Sequence, residues 1–233
     1  MSRTKARVKG GSVIDSIRTP GPHLGQPVLV AGPASAEATA AVVLVHGRGA
    51  TARGMFGLVS ELPTEAVIYV APQAASQTWY PYSFLEPIER NEPWLTSALA
   101  AIGDVVQALV DDGVPRERIV LLGFSQGACL SAEFVVRNPQ RYGGLIVFSG
   151  GLIGPLGMVR NDVGDIAGTP VFIGGSDIDP HIPLERMQES AAILEQLGGK
   201  VDLRVYPGMS HTINENEIGA AYAIVQQVSQ PEE

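Results

Sequence analysis

The chain has a single cysteine, Cys129, in 233 residues, and only four histidines. One thiol excludes an intrachain disulfide and a thiolate metal cluster. His23, His46, His181 and His211 do not offer the spacing of a three-histidine zinc site. Positive charge is also in deficit, with 16 basic against 24 acidic residues and a net charge of −8. That balance argues against nucleic acid or an anionic membrane as the main partner, since both reward basic surfaces. No stretch approaches the ~18 uninterrupted apolar residues of a membrane span. The N-terminal "MSRTKARVKGGS" is basic but has no apolar run behind it, so it does not read as a secretory signal. A soluble, cytoplasmic protein is expected.

What is present suits one sizeable core. Hydrophobic residues make up 45% of the sequence, enough to exclude wholesale disorder. The first 25 residues are polar and punctuated by Gly and Pro, and read as a loosely attached leader; residues 26–233 read as one domain. Apolar runs recur at 25–32, 41–45, 65–74, 118–124, 143–151, 169–177 and 201–211. Most are continuous and not alternating, as expected of strands buried on both faces of a parallel sheet. Helical patterns lie between them at 52–62, 95–113, 126–137, 184–198 and 215–228. The alternation predicts an α/β fold with helices on both faces of a mostly parallel sheet.

One segment breaks the rhythm. "SQTWYPYSFLEPIERNEPWL" (76–95) has three prolines and no clean period, and it collects Trp79, Tyr80, Tyr82, Phe84 and Trp94. It is either a long loop packed on the core or the wall of a binding cleft.

The chemistry is concentrated in "RIVLLGFSQGACL" (118–130). A strand, Gly-x-Ser-x-Gly and a helix form a nucleophile elbow, in which glycines let strand and helix approach while the serine projects above the sheet. Ser125 is the candidate nucleophile. A serine hydroxyl needs a base to take its proton and a third group to orient that base. In this arrangement the chain order is serine, acid, histidine. His211, in the loop after the last strand, is the candidate base, with His181 assigned to a pocket rim or the surface. The acid belongs after the preceding strand, where "VFIGGSDIDPHIP" offers Asp177 and Asp179; topology alone does not choose between them. The amide of Gln126 is one candidate oxyanion donor. The second is expected from "LVHGRGAT" (44–51), where Gly47 and Gly49 let amides turn inward and His46 holds the loop. Cys129 reads as a small buried hydrophobe.

"HGRG", "GFSQGA", "DIDPHIP" and "GMSH", in that order, resemble the signature loops of the carboxylesterase/phospholipase family of α/β-hydrolases, which includes acyl-protein thioesterases. The resemblance covers the chain from about residue 40 onward. It implies Asp179, the aspartate preceding proline, as the acid beside Ser125 and His211. It also implies the backbone amides of Arg48 and Gln126 as the oxyanion hole, and Trp79, with Tyr80 beside it, near the substrate. Arg48 departs from the apolar residue usual at that place, and the insert at 80–95 also differs. The implied activity is cofactor-free hydrolysis of short- to medium-chain acyl esters or thioesters through an acyl-enzyme. The alternatives are hydrolysis of lysophospholipid, amide or C–C bonds, and a non-catalytic ligand-binding scaffold. The expected partner is a small-molecule ester or thioester, with a homodimer left open.

Overall fold

The computed structural model describes residues 14–230. Seven strands, β1 (Val28–Ala31), β2 (Ala40–Val45), β3 (Val67–Pro72), β4 (Ile119–Phe124), β5 (Gly144–Phe148), β6 (Pro170–Ser176) and β7 (Lys200–Tyr206), pair in the order β1-β3-β2-β4-β5-β6-β7. β1 runs antiparallel to β3, and every other neighbouring pair is parallel. β2, β3 and β5 are buried at every position, which is why their sequences are continuous apolar runs.

Alternate residues of each strand feed opposite layers. Ala41, Val43, Val45, Leu121, Val147 and Ile173 face α2 (Trp94–Asp111), α3 (Gln126–Arg137) and α4 (Leu184–Gln196). Val42, Leu44, Val120, Leu122, Ile146 and Phe172 face α1 (Ala52–Met55) and α5 (Glu215–Ser229). The helical pattern at 52–62 is realised as the four-residue α1 followed by a 3-10 stretch, Phe56–Glu61. Among the described helices α2 alone has the length and hydropathy to cross a bilayer, and its apolar residues Leu95, Ile102, Val105 and Leu109 are instead buried in the core.

The loosely attached leader expected over residues 1–25 does not hold for residues 14–25; residues 1–13 lie outside those described. Ile14 and Ile17 are buried, and His23 is fully buried between Trp79 and Trp94 with edge contacts at 5.4 and 5.5 Å. The Asp104 carboxylate of α2 accepts from the Arg18 and Thr19 amides, both at 2.7 Å, and from the Thr19 hydroxyl at 2.6 Å. Three widely spaced anchors among Gly, Pro and polar residues carry no periodicity, so the strap had no signature in the sequence.

The parallel strands deliver the loops after β2, β4, β6 and β7 to one edge of the sheet, where open α/β sheets bind ligands. The tightest point is the turn between β4 and α3. A Cβ on Gly127 would fall 2.1 Å from the Val45 carbonyl oxygen, and one on Gly123 would fall 2.3 Å from the Gly127 oxygen. Gly127→Ala is therefore expected to destabilise the protein by about 3 kcal/mol, at the upper end of overpacking costs. In α5 nothing lies within 4 Å of the corresponding position on Gly219, so Gly219→Ala should stabilise by about 0.5–1 kcal/mol. Urea unfolding midpoints compare the two, and equal midpoints would contradict the steric account.

Candidate active site

Ser125 occupies the turn between β4 and α3 with φ 55° and ψ −121°. A non-glycine residue at positive φ is strained by about 1–3 kcal/mol and persists only where surrounding contacts over-determine it. Its amide donates to the Phe148 carbonyl at 2.9 Å, and its own carbonyl accepts from Cys129 N at 3.0 Å. The strain turns the hydroxyl away from the helix, and Oγ lies 2.9 Å from Nε2 of His211.

His211 is placed by the loop between β7 and α5, and its Nδ1 lies 2.6 Å from Oδ2 of Asp179. A carboxylate only accepts, so the proton sits on Nδ1 and Nε2 is left to accept from the serine. The ring packs on Phe124 with centroids 4.9 Å apart. The Asp179 side chain is 1% exposed. Burial alone would push its carboxyl up. The His211 hydrogen bond and the amides of His181 (2.8 Å) and Ile182 (3.1 Å) outweigh burial and hold it below the ordinary value. Asp177, the alternative that topology left open, is exposed and points elsewhere. It accepts from the Gly208 amide at 2.8 Å and so ties the loop after β7 to the loop after β6.

The amides of Arg48 and Gln126 find no acceptor among the described residues. Gln126 begins α3, whose first N–H groups have no intrahelical partner and lie at the positive end of the helix dipole. Both residues line a cavity of about 460 Å³ together with Ser125, His211, Tyr80 and Phe84. His46 holds the Arg48 loop from inside: its Nε2 accepts from Ala74 N at 3.1 Å, leaving Nδ1 to donate to the Gly47 carbonyl at 2.8 Å. Burial lowers its pKa and keeps it neutral.

The structure moves one expected substrate contact. Trp79 does not line the cavity: it is fully buried, stacked near His46 at 5.0 Å, and its indole N–H donates to the His46 carbonyl at 2.8 Å. A large ring with one polar handle serves here as a core anchor. Tyr80 does reach the cavity, joined by Tyr82 and Phe84 from the same aromatic segment. Phe124, His181 and Ile182 also line it; Phe124 and Ile182 were hidden inside motifs read for their polar members. Cys129 is buried at the cavity, and burial pushes its thiol up to about 12, so it stays protonated and inert. No group of three or more His, Cys, Asp or Glu among the described residues is placed to hold a metal.

Three residues past His211 the chain enters α5 through a reciprocal cap. Asn214 Oδ1 accepts from Glu217 N at 3.0 Å, and Glu217 Oε2 accepts from Asn214 N at 2.9 Å. The other carboxylate oxygen of Glu217 is buried without a partner, seated where Gly174 leaves room for it. Burial raises this carboxyl to about 7, against the pull of the Asn214 amide.

The sequence family described as phospholipase/carboxylesterase matches residues 28–229. Acyl-protein thioesterase 1 of Neurospora crassa is 28% identical over 222 residues, covering 83% of this chain and 88% of that protein. The crystal structure of a phospholipase/carboxylesterase from Dyadobacter fermentans superposes with a TM-score of 0.83 at 44% identity, over 86% of this chain and 96% of that one. The Bacillus cereus carboxylesterase shares the fold, with a TM-score of 0.68 at 15% identity over 87% of this chain and 94% of that one.

The cap generates a pH test. Glu217 titrates near 7 in the folded chain against an ordinary 4.5, so the unfolded state loses its proton first and stability falls as pH rises through that window. Gln at this position stays neutral and keeps the acceptor for Asn214. Glu217→Gln should therefore match the parent below about pH 4.5 and exceed it by about 3 kcal/mol at pH 8. Urea unfolding across that range checks this; a constant offset would show that the buried charge is not the cause.

Proposed function

The chain belongs to the phospholipase/carboxylesterase family of α/β-hydrolases and is a serine hydrolase; from that premise we propose that it cleaves short- to medium-chain acyl esters or thioesters through an acyl-enzyme on Ser125. The observation that carries this reading is the continuous chain from Ser125 Oγ to His211 Nε2 at 2.9 Å and from His211 Nδ1 to Asp179 at 2.6 Å.

In this mechanism His211 Nε2 takes the hydroxyl proton as Ser125 Oγ attacks the carbonyl carbon. The carbonyl oxygen becomes an oxyanion and is received by the Arg48 and Gln126 amides, each such donor being worth about 10²–10³ in kcat. The tetrahedral intermediate collapses, His211 gives its proton to the departing alcohol or thiol, and the acyl group remains on Ser125. Water, deprotonated by the same nitrogen, then releases the acid and restores the serine. Asp179 stays ionised throughout, and its charge stabilises the transient imidazolium. Nucleophile, base and oxyanion donors all come from the chain, so the steps need no cofactor. The cavity of about 460 Å³ beside Ser125, walled by Tyr80, Tyr82 and Phe84, supports the reading of an apolar acyl group as the bound part of the substrate.

Ser125 should label with a fluorophosphonate probe, and p-nitrophenyl esters from acetate to octanoate should be hydrolysed with highest kcat/KM at modest chain length. Ser125→Ala should abolish labelling and lower kcat by about 10⁴–10⁶ without changing the fold. Activity above a few per cent in purified variant would remove Ser125 from its role. An unlabelled, inactive parent would favour a ligand-binding scaffold.

The two aspartates separate orientation from loop tethering. Asp179→Asn should cost about 10⁴ in kcat by stabilising the wrong imidazole tautomer, whereas Asp177→Asn keeps an oxygen that can accept from the Gly208 amide and should cost less than about tenfold. The opposite ranking in steady-state kinetics would reassign the acid.

A further inference from the structure

The two residues proposed to receive the oxyanion through their amides also hold the cavity wall through their side chains. Gln126 Nε2 donates to the Tyr80 carbonyl at 2.8 Å, and its Oε1 accepts from the Trp79 amide at 2.9 Å. Arg48 Nη1 donates to Thr78 Oγ1 at 3.1 Å and to the Pro81 carbonyl at 2.8 Å, while Nη2 donates to the Tyr82 carbonyl at 2.7 Å. The guanidinium carbon lies 6.0 Å from the centre of the Tyr80 ring. Behind the wall, the buried Asn91 accepts from the Tyr82 amide at 2.9 Å and donates to the Ser83 carbonyl at 3.0 Å. The Gly154 amide donates to the Phe84 carbonyl at 2.7 Å. Each residue from Trp79 to Phe84 thus has a backbone group bonded to something outside the segment.

These tethers are not equivalent. Gln126 and Asn91 are buried, and their bonds are shielded from water. Arg48 is exposed, and its planar fork spans three acceptors on Thr78, Pro81 and Tyr82 at once. A fixed fork suits several acceptors in a way that the point charge of lysine does not. The Arg48 backbone meanwhile sits between Gly47 and Gly49, in a loop packed against the serine, since a Cβ on Gly47 would lie 3.4 Å from the Ser125 Cβ. One residue therefore ties the wall of the cavity to the loop beside the reacting atom.

We propose that the Arg48 side chain is a specificity-determining clamp that couples the wall at 78–82 to the oxyanion loop, so that an acyl group too large for the cavity displaces both. The clamp rests on the reading of this cavity as an acyl site. Its consequence is that long acyl chains are rejected in kcat as well as in KM, because pushing the wall outward draws the Arg48 amide away from the developing charge. Arg48 acts here by positioning; its guanidinium does not touch the reacting atoms.

Arg48→Met keeps the stem and the amide but removes the fork. Steady-state kinetics on p-nitrophenyl acetate and octanoate should show the octanoate-to-acetate ratio of kcat/KM rising at least fivefold, with the larger part in kcat. Arg48→Lys should recover less than half of that change. A smaller rise, a rise confined to KM, or full recovery by lysine overturns the clamp, and uniform loss on both esters shows a merely structural role. Hydrogen exchange of the peptide covering 78–84 should also quicken at least fivefold in Arg48→Met. Unchanged exchange overturns the clamp whether or not the protein is active. A parent that hydrolyses neither ester and resists the fluorophosphonate instead removes the esterase reading, and the exchange measurement still decides on the clamp.

Discussion

The contact on which the reactive edge depends is the approach of α3 to the ends of β2 and β4. With no side chain at Gly127 or Gly123, the helix backbone comes so close to the Val45 carbonyl that a methyl group would overlap it. Only a very sharp turn can join strand to helix in that space, and the residue at the turn is forced to φ 55°. Ser125 therefore stands above the sheet while the first amide of α3 is left open beside it. The same proximity brings the loop after β2 alongside, since a Cβ on Gly47 would lie 3.4 Å from the Ser125 Cβ. Candidate nucleophile and candidate oxyanion donors are thus placed by one packing event.

Electrostatic compensation does the rest. A carboxylate as buried as Asp179 would normally be driven towards its neutral form. Two amides of its own loop and the imidazole of His211 keep it charged, and the same bond fixes the orientation of the His211 ring. His46 and His23 play the opposite part. Both are buried and held neutral, and each bridges backbone groups that would otherwise lie unpaired inside the protein. His23 receives the Ala75 amide and pairs with the Trp79 carbonyl, while the Trp79 indole reaches the His46 carbonyl. The strap at 14–25 therefore supports Trp79, whose amide in turn holds the side chain of Gln126, the residue after Ser125.

Much of this was determined by sequence alone. Continuous apolar runs revealed the strands because a parallel sheet buries both faces, and the helices between them followed. The elbow was legible because glycines on either side of a serine, between strand and helix, have few other uses. Family resemblance, and not spacing, chose Asp179 over Asp177, and the structure brings Asp179 and not Asp177 to His211.

Tertiary structure decided what depends on partners remote in the chain. Trp79 and Tyr80 are adjacent and both buried, yet only Tyr80 also lines the cavity, while the Trp79 indole is committed to the His46 carbonyl. The anchors at Ile14, Ile17 and His23 were invisible because single residues bury against α2 and the aromatic segment without forming a repeating pattern. In sequence Arg48 offered only its backbone amide and a departure from the apolar residue usual at that place. Its side chain turns instead to the Pro81 and Tyr82 carbonyls, 33 and 34 residues further along the chain, a pairing that no local sequence pattern encodes.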